Sequence, residues 1–194
     1  MPDAKITSLT ADTTPTSDDL VVTVNDPAGT PANRKATLRD IQLAGSVVQV
    51  VNTTSSAAAT GTTTIPRDNS IPQNTEGTEF ITLAITPKST TNILIIDAVI
   101  LLANDAAGSN ALAIALFQDT TASALAAAEI VQPQNSPAMI NLRHAMAAGT
   151  TSSTTFKIRG GCNTAGTTTF NGAGGGALYG AITYSSIVIT EYKA

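Results

Sequence analysis

The chain has 194 residues, of which 12% are charged and 4% aromatic, with no tryptophan and a formal net charge of -4. That balance offers no basic footprint for DNA or RNA. Scarce Lys and Glu beside abundant Thr argue against long surface helices and for strands whose hydroxyls keep an uncharged surface wet. One cysteine, Cys162, permits no internal disulfide. The amino terminus, MPDAKITSL, lacks a basic region followed by an apolar run, so no signal peptide and no membrane anchor are expected.

Residues 1–45 read as a small unit of their own. Asp19 to Val24 (DLVVTV) predicts a short strand, Asn25 to Pro31 a turn, and Arg34 to Leu38 a returning strand. Thr37-Leu38-Arg39-Asp40 has the capping-box pattern with Asp in place of Glu, which predicts one or two helical turns through Ile41 and Leu43 before Gly45. A unit this small buries too little apolar surface to stand alone. It reads as an anchoring segment ordered by docking, with Leu20, Val22, Val24, Leu38 and Ile41 as the candidate docking residues. Residues 46–76 read as a Thr/Ser/Pro-rich joint. It comprises a short strand from Ser46 to Val51, a polar run from Asn52 to Thr64, and an extended stretch around Pro66 and Pro72.

Residues 77–194 form the main domain, with a first strand beginning near residue 61. Eight strand-like pieces are predicted: Thr62–Arg67, Thr78–Thr86, Asn92–Leu102, Ala111–Gln118, Ala126–Val131, Ala138–Ala145, Thr154–Gly160 and Ala177–Tyr192. Short strands between Gly, Asn and Ser clusters predict a mainly β fold, an antiparallel jelly-roll-like sandwich. Its centre is ILIIDAVILLA, Ile93 to Ala103, which is too short to cross a bilayer as a helix. Alternation puts Ile93, Ile95, Asp97, Val99 and Leu101 on one face and Leu94, Ile96, Ala98, Ile100 and Leu102 on the other. Both faces are apolar, whereas an antiparallel strand usually shows one to water. The first face is therefore the candidate contact with other copies of the chain, the alternative being cover by a loop of the same subunit. Ala111, Ala113 and Ala115 in ALAIALF are small enough to admit another backbone and form a second candidate contact. ALAAA, Ala124 to Ala128, is compatible with a helical turn as well as a strand.

No catalytic, cofactor or metal residues are expected. His144 is the only histidine, which rules against a triad or a zinc site, and Cys162 would need it as a base. NGAGGG, Asn171 to Gly176, lacks the Lys-Ser/Thr of a phosphate loop and reads as a turn before the last strand. Asp68, Glu76 and Glu79 with Asn69 and Asn74 lack calcium-loop spacing and read as a solvated acidic stretch. Asp97, mid-strand among Ile, Val and Leu, needs either a partner or solvent. Arg143, Lys157 and Arg159 are the candidate partners, across the sheet or across a subunit boundary.

Several segments resemble tailed-bacteriophage virion appendage proteins, the group of head decoration proteins, head fibres and tail-fibre knobs. Lys5 to Ile41 is similar to their N-terminal attachment segments. Gly61–Ser89, Ala115–Glu129, Ala148–Gly161, Gly166–Gly172 and Ser185–Tyr192 resemble their C-terminal knob. The resemblance implies a non-enzymatic virion protein, made in the host cytoplasm, whose knob is a homotrimer. Its N-terminal segment would dock on the major capsid protein or another virion protein, as in a capsid decoration protein or short head fibre. The alternative is a tail fibre contacting host glycans. A polysaccharide-degrading enzyme would want paired carboxylates in a groove, and the acidic residues here are scattered.

Overall fold

The computed structural model describes the backbone of residues 20–25 and 32–37 and all of residues 44–194. It divides into two units, residues 1–46 and 47–194. In the first, β1 (Leu20–Asn25) and β2 (Ala32–Thr37) form an antiparallel hairpin, with Leu20 opposite Thr37 and Asn25 opposite Ala32. Leu38, Ile41 and the predicted helical turn lie outside the described residues.

The second unit is the expected antiparallel β-sandwich. One sheet has the order β5 (Thr78–Ile85), β10 (Thr154–Cys162), β7 (Ser109–Gln118), β8 (Ala126–Pro133). The other runs β3 (Val47–Ser55), β14 (Ser185–Tyr192), β6 (Ile93–Asn104), β11 (Thr168–Phe170), β4 (Ala59–Gly61), and β9 (Ala138–Ala147) also pairs with β6. Residues Ile93 to Val99 pair with β14 and with β9 at once, so those two strands flank β6 on opposite edges. The long stretch at the centre of the sequence is thus the central strand of its sheet. Among the described residues the only helical element is a 3-10 turn at Tyr179–Ala181.

The core lies between the sheets. From β6 come Leu94, Ile96, Ala98, Ile100 and Leu102, and Leu112, Ile114 and Leu116 face them from β7. Phe156 and Ile158 of β10 and Ile187 and Ile189 of β14 complete the layer, all at 0% exposure. These are the inward parities of strands whose alternation was plain in the sequence. Phe80 and Phe170 stack with ring centroids 5.1 Å apart, against Gly160, where a Cβ would lie 2.8 Å from Leu102 and 3.3 Å from Phe80.

Three segments depart from expectation. The polar run after Val51 continues as strand to Ser55, and β4 follows, so the residues read as a joint include two strands of the six-stranded sheet. Thr and Asn supply β-propensity without the apolar signal that marks a buried strand. Thr62–Arg67 is extended but belongs to no sheet. It begins a strap over the outside of the four-stranded sheet, held by Ile65 N–H donating to the Cys162 carbonyl (3.1 Å) and Ala124 N–H to the Pro72 carbonyl (2.9 Å). Ala126–Ala128 lie in strand β8, not a helix. The last predicted piece is broken: β12 (Gly172–Ala173) and β13 (Gly176–Ala177) pair around Gly174 and Gly175, both at positive φ as a tight two-residue hairpin turn demands.

The strap covers the alanine face of β7. Ile65, Ala115 and Phe117 form a small second core at 3%, 0% and 1% exposure, packed against Ala113 and Ala124. Gly161 lets the strap approach, because a Cβ there would lie 2.8 Å from the Thr63 carbonyl oxygen. Arg67 closes the far side with Nε and Nη2 on the Glu129 carboxylate. Truncating Ile65→Ala, which empties the strap's one deep anchor, is expected to cost about 2–4 kcal/mol of unfolding free energy in a urea titration.

Candidate functional site

The register of the six-stranded sheet defines its outer face. Successive rows run across β3, β14, β6 and β9: Val50–Thr190–Ile95–Ala145, then Asn52–Val188–Asp97–Arg143, then Thr54–Ser186–Val99–Asn141. Ile93, Tyr192 and Val47 continue it at one end, Leu101 and Met139 at the other. In each row the β14 and β6 residues are half-buried by their neighbours, while the β3 and β9 residues are exposed. Val47, Val50, Ile93 and Met139 are 49%, 51%, 36% and 49% exposed. An antiparallel sheet facing water normally carries polar residues at these parities. Here Ile, Val and Met occupy them, with Thr, Ser and Asn between.

One ion pair sits in this face. Arg143 donates from Nε to Asp97 Oδ1 at 2.6 Å and from Nη2 to Oδ2 at 2.9 Å, a bidentate contact between residues directly opposite in the β6–β9 register. Of the three cations open to Asp97 in the sequence, the cross-strand Arg143 is the one that meets it. The hydrogen bonds and the charge of Asp97 push the Arg143 guanidinium pKa up. Lys157 and Arg159 lie on the other sheet, 3.6 and 3.7 Å from Glu79. They border a hollow of about 250 Å³ with Phe117 and Asp119.

The other residues singled out in the sequence fall as follows. Ile93, Ile95, Asp97, Val99 and Leu101 share the outer face, with Leu101 already 8% exposed within the single chain. Ala111, Ala113 and Ala115 do not offer a second contact: Ala111 and Ala115 are 4% and 0% exposed, and the strap lies over this side of β7. Leu20, Val22 and Val24 lie on β1. His144 is half-buried at the inward parity of β9, opposite Ile96. Cys162 is a buried core thiol whose one hydrogen bond goes to Asn163 Oδ1 at 3.7 Å. Asp68 accepts from Ser70, Glu76 from the Gln73 N–H, and Asn74 donates to the Thr120 and Thr121 carbonyls. Among the described residues no three acidic, His or Cys side chains gather as a metal site would require.

Two buried polar groups escaped the sequence reading. Asn171, at 0% exposure and φ 54°, donates to the Ser55 and Ala57 carbonyls and accepts from Ser185 Oγ, stitching β3, β11 and β14 together. Glu191, also at 0% exposure, stands at the inward parity of β14. Asn92 Nδ2 (2.6 Å) and the Lys88 N–H (2.8 Å) donate to its Oε1, and Gln49 Nε2 (2.5 Å) donates to Oε2. Burial pushes this carboxyl up, but the bonds from Asn92 and Gln49 and from the Lys88 and Ser89 backbone outweigh it and hold the carboxyl below its ordinary value. The available signal was parity: Ser185, Ile187, Ile189 and Glu191 alternate as one face.

Fold and surface together define a class, the antiparallel β-sandwich with one outer face left apolar. Residues 41–194 match the family described as the Pgp3 C-terminal domain, and the chain belongs to that family. No curated protein matches the chain. Among solved structures it is similar to the Eiger TNF of S. frugiperda, at 10% identity and TM-score 0.44 over 75% of this chain and 94% of that one. It is also similar to the structure of infectious bursal disease virus Gx strain, at 12% identity and TM-score 0.35 over 91% of this chain and 43% of that one.

The family match corrects the bacteriophage resemblance. The family matched is that of the Pgp3 C-terminal domain and not one of phage appendages, so the expected roles as capsid decoration protein, head fibre or tail fibre fall away. The virion location and the capsid-docking role given to Leu20, Val22, Val24, Leu38 and Ile41 fall with them. From Gly61 onward the quoted segments fall on strands and turns of the sandwich, a texture that carries no chemistry of its own.

A carboxyl held below its ordinary value stabilises the fold fully above that value and loses the effect as pH falls through the folded one. Glu191→Ala, which strands several buried donors, is expected to cost about 3 kcal/mol at neutral pH. The gap between wild type and variant should shrink as the denaturation series is taken below about pH 4.

Proposed function

We propose that this domain is a non-enzymatic assembly module that forms a homotrimer through the outer face of its six-stranded sheet. The carrying observation is the contrast between the two outer faces. The small-residue face of β7 is roofed by the chain's own strap, with Ile65 driven to 3% exposure. Within residues 47–194 the other face has no such cover, and Val50, Ile93 and Met139 stand open on it. A contiguous apolar surface rimmed by polar residues is the ordinary mark of a protein contact.

A ring of copies is favoured over a face-to-face pair by where the exposure lies. The centre of the face, β14 and β6, is already half-shielded. Apart from Ile93, at the end of β6, the open residues stand along its two borders, β3 and β9, which are different surfaces. Contact between two different surfaces of the same molecule is heterologous, and it gives a ring where its rotation closes.

In sedimentation equilibrium the chain is expected at about three times its 19.7 kDa mass at micromolar concentration. Ile95→Glu, which places a charge in the middle of the contact, should weaken association at least about 100-fold while leaving the far-ultraviolet circular dichroism of the β-sandwich unchanged. A wild-type chain that stays monomeric at these concentrations would overturn the proposal.

A further inference from the structure

We infer that the hollow on the outer face of the four-stranded sheet binds a small zwitterion, an α-amino acid with a short side chain. Its carboxylate sits on Lys157 and Arg159 and its ammonium on Glu79. The site lies on the other sheet from the proposed assembly contact and does not rest on it. Alternation turns Lys157 and Arg159 to the outside of β10, with Glu79 of β5 directly opposite Arg159 and Phe117 of β7 directly opposite Lys157. The strap that roofs Ala115 ends here. Asn74 ties its end to the turn after β7 by donating from Nδ2 to the Thr120 and Thr121 carbonyls, at 3.3 Å each. Beside Asn74 lies the hollow, about 250 Å³ in volume.

Among the described residues four charged side chains line it, two of each sign. The cations are not paired as an ordinary surface ion pair is. Nε and Nη2 of Arg159 donate to the Glu76 and Gly77 carbonyls, both at 2.7 Å, which fixes the guanidinium plane and turns Nη1 to Glu79. Nη1 stands 3.7 Å and Lys157 Nζ 3.6 Å from the same oxygen, Glu79 Oε2, both beyond direct hydrogen-bond reach. Both nitrogens therefore carry donors that Glu79 does not satisfy, and they share one acceptor. An incoming carboxylate has two oxygens and gives one to each nitrogen at about 2.8 Å. That exchange strips Glu79 of its two cations. It then takes a positive group, which an α-amino acid carries on the carbon next to its carboxylate.

Asp119 argues against a simple anion. The Thr155 N–H (2.8 Å) and the Thr154 hydroxyl (2.9 Å) donate to its two oxygens and hold its charge at the rim. With Asp119 counted, the charges around the hollow sum to zero. A dianion such as inorganic phosphate would leave an excess of negative charge in a partly enclosed site, where charges are felt more strongly than in water. A zwitterion leaves none. Size narrows the choice further. The volume is about eight waters' share of the liquid, less than the roughly 300–1,000 Å³ of drug-sized sites. It suits alanine or serine, with Phe117 as the apolar part of the wall.

Equilibrium dialysis of the full-length chain against radiolabelled L-alanine tests the site. Saturable binding of one alanine per chain is expected. Acetate and methylammonium each carry half of the charge pattern and should compete at least about tenfold less well. Lys157→Gln and Glu79→Gln should each weaken alanine binding at least about tenfold. Neither should move the thermal unfolding midpoint, because ion pairs this open to water contribute little to stability. No saturable binding up to about 10 mM alanine, or variants that bind as the wild type does, would overturn the site. Acetate or inorganic phosphate competing as strongly as alanine would overturn the zwitterion and with it the role given to Glu79.

Discussion

A strand that is apolar on both faces has to be covered twice, and β6 (Ile93–Asn104) imposes that demand on the whole domain. Its inner parity is met by the other sheet, where Leu112, Ile114, Leu116, Phe156 and Ile158 bury it completely. Its edges are met by β14 on one side and β9 on the other, so no backbone group along Ile93–Val99 is left at a sheet margin. Within residues 47–194 its outer parity is met by the half-shielding of neighbouring Val, Ile and Thr side chains. The one charge tolerated there, Asp97, is directly opposite an arginine whose fork fits it. Each feature follows from placing so much branched apolar volume on one strand.

The sandwich treats its two outsides differently. Across the four-stranded sheet, alanines make a shallow surface, and a single extended segment with one isoleucine knob is enough to dry it. Glycine at 161 allows the backbones to close, and the Arg67–Glu129 pair fastens the outer side. Across the six-stranded sheet the side chains stand taller and no segment of residues 47–194 crosses them. Residues 47–194 therefore supply their own cover on one side and none on the other. That asymmetry makes the uncovered face informative. It also corrects the pairing of both surfaces as contacts, since smallness alone marks a site for close approach without saying whose backbone approaches.

Much of the sandwich was legible in the sequence because strand alternation is local. Seven of the eight predicted pieces contain an observed strand, and Asp97 announced a partner by being charged in the wrong company. What stayed hidden was non-local. Thr53, Thr54 and Ser55 look like linker until β14 is known to lie beside them. Ile65 looks like any isoleucine in a Pro-bounded loop, because its burial comes from Ala115 and Phe117 some fifty residues later. Glu191 reads as a polar end to the last strand, since its donors come from Gln49, Lys88 and Asn92. The likeness to phage appendages came from the same level of pattern, strand and turn texture. That texture reports how a chain folds far better than what it serves.

The hydrogen bond from Gln49 to Glu191 joins residues 142 positions apart, and the strand that carries Glu191 lies between β3 and β6. While the polypeptide is being made, the slot in the middle of the sheet stays empty and two strand edges stay bare until that closing segment has emerged. Such an arrangement cannot condense piecemeal from its leading end. Nascent intermediates would carry open edges together with the greasiest strand in the molecule, the combination most prone to clumping. For this domain, the final strand is the keystone, and premature termination shortly before Ser185 would leave an arch without it.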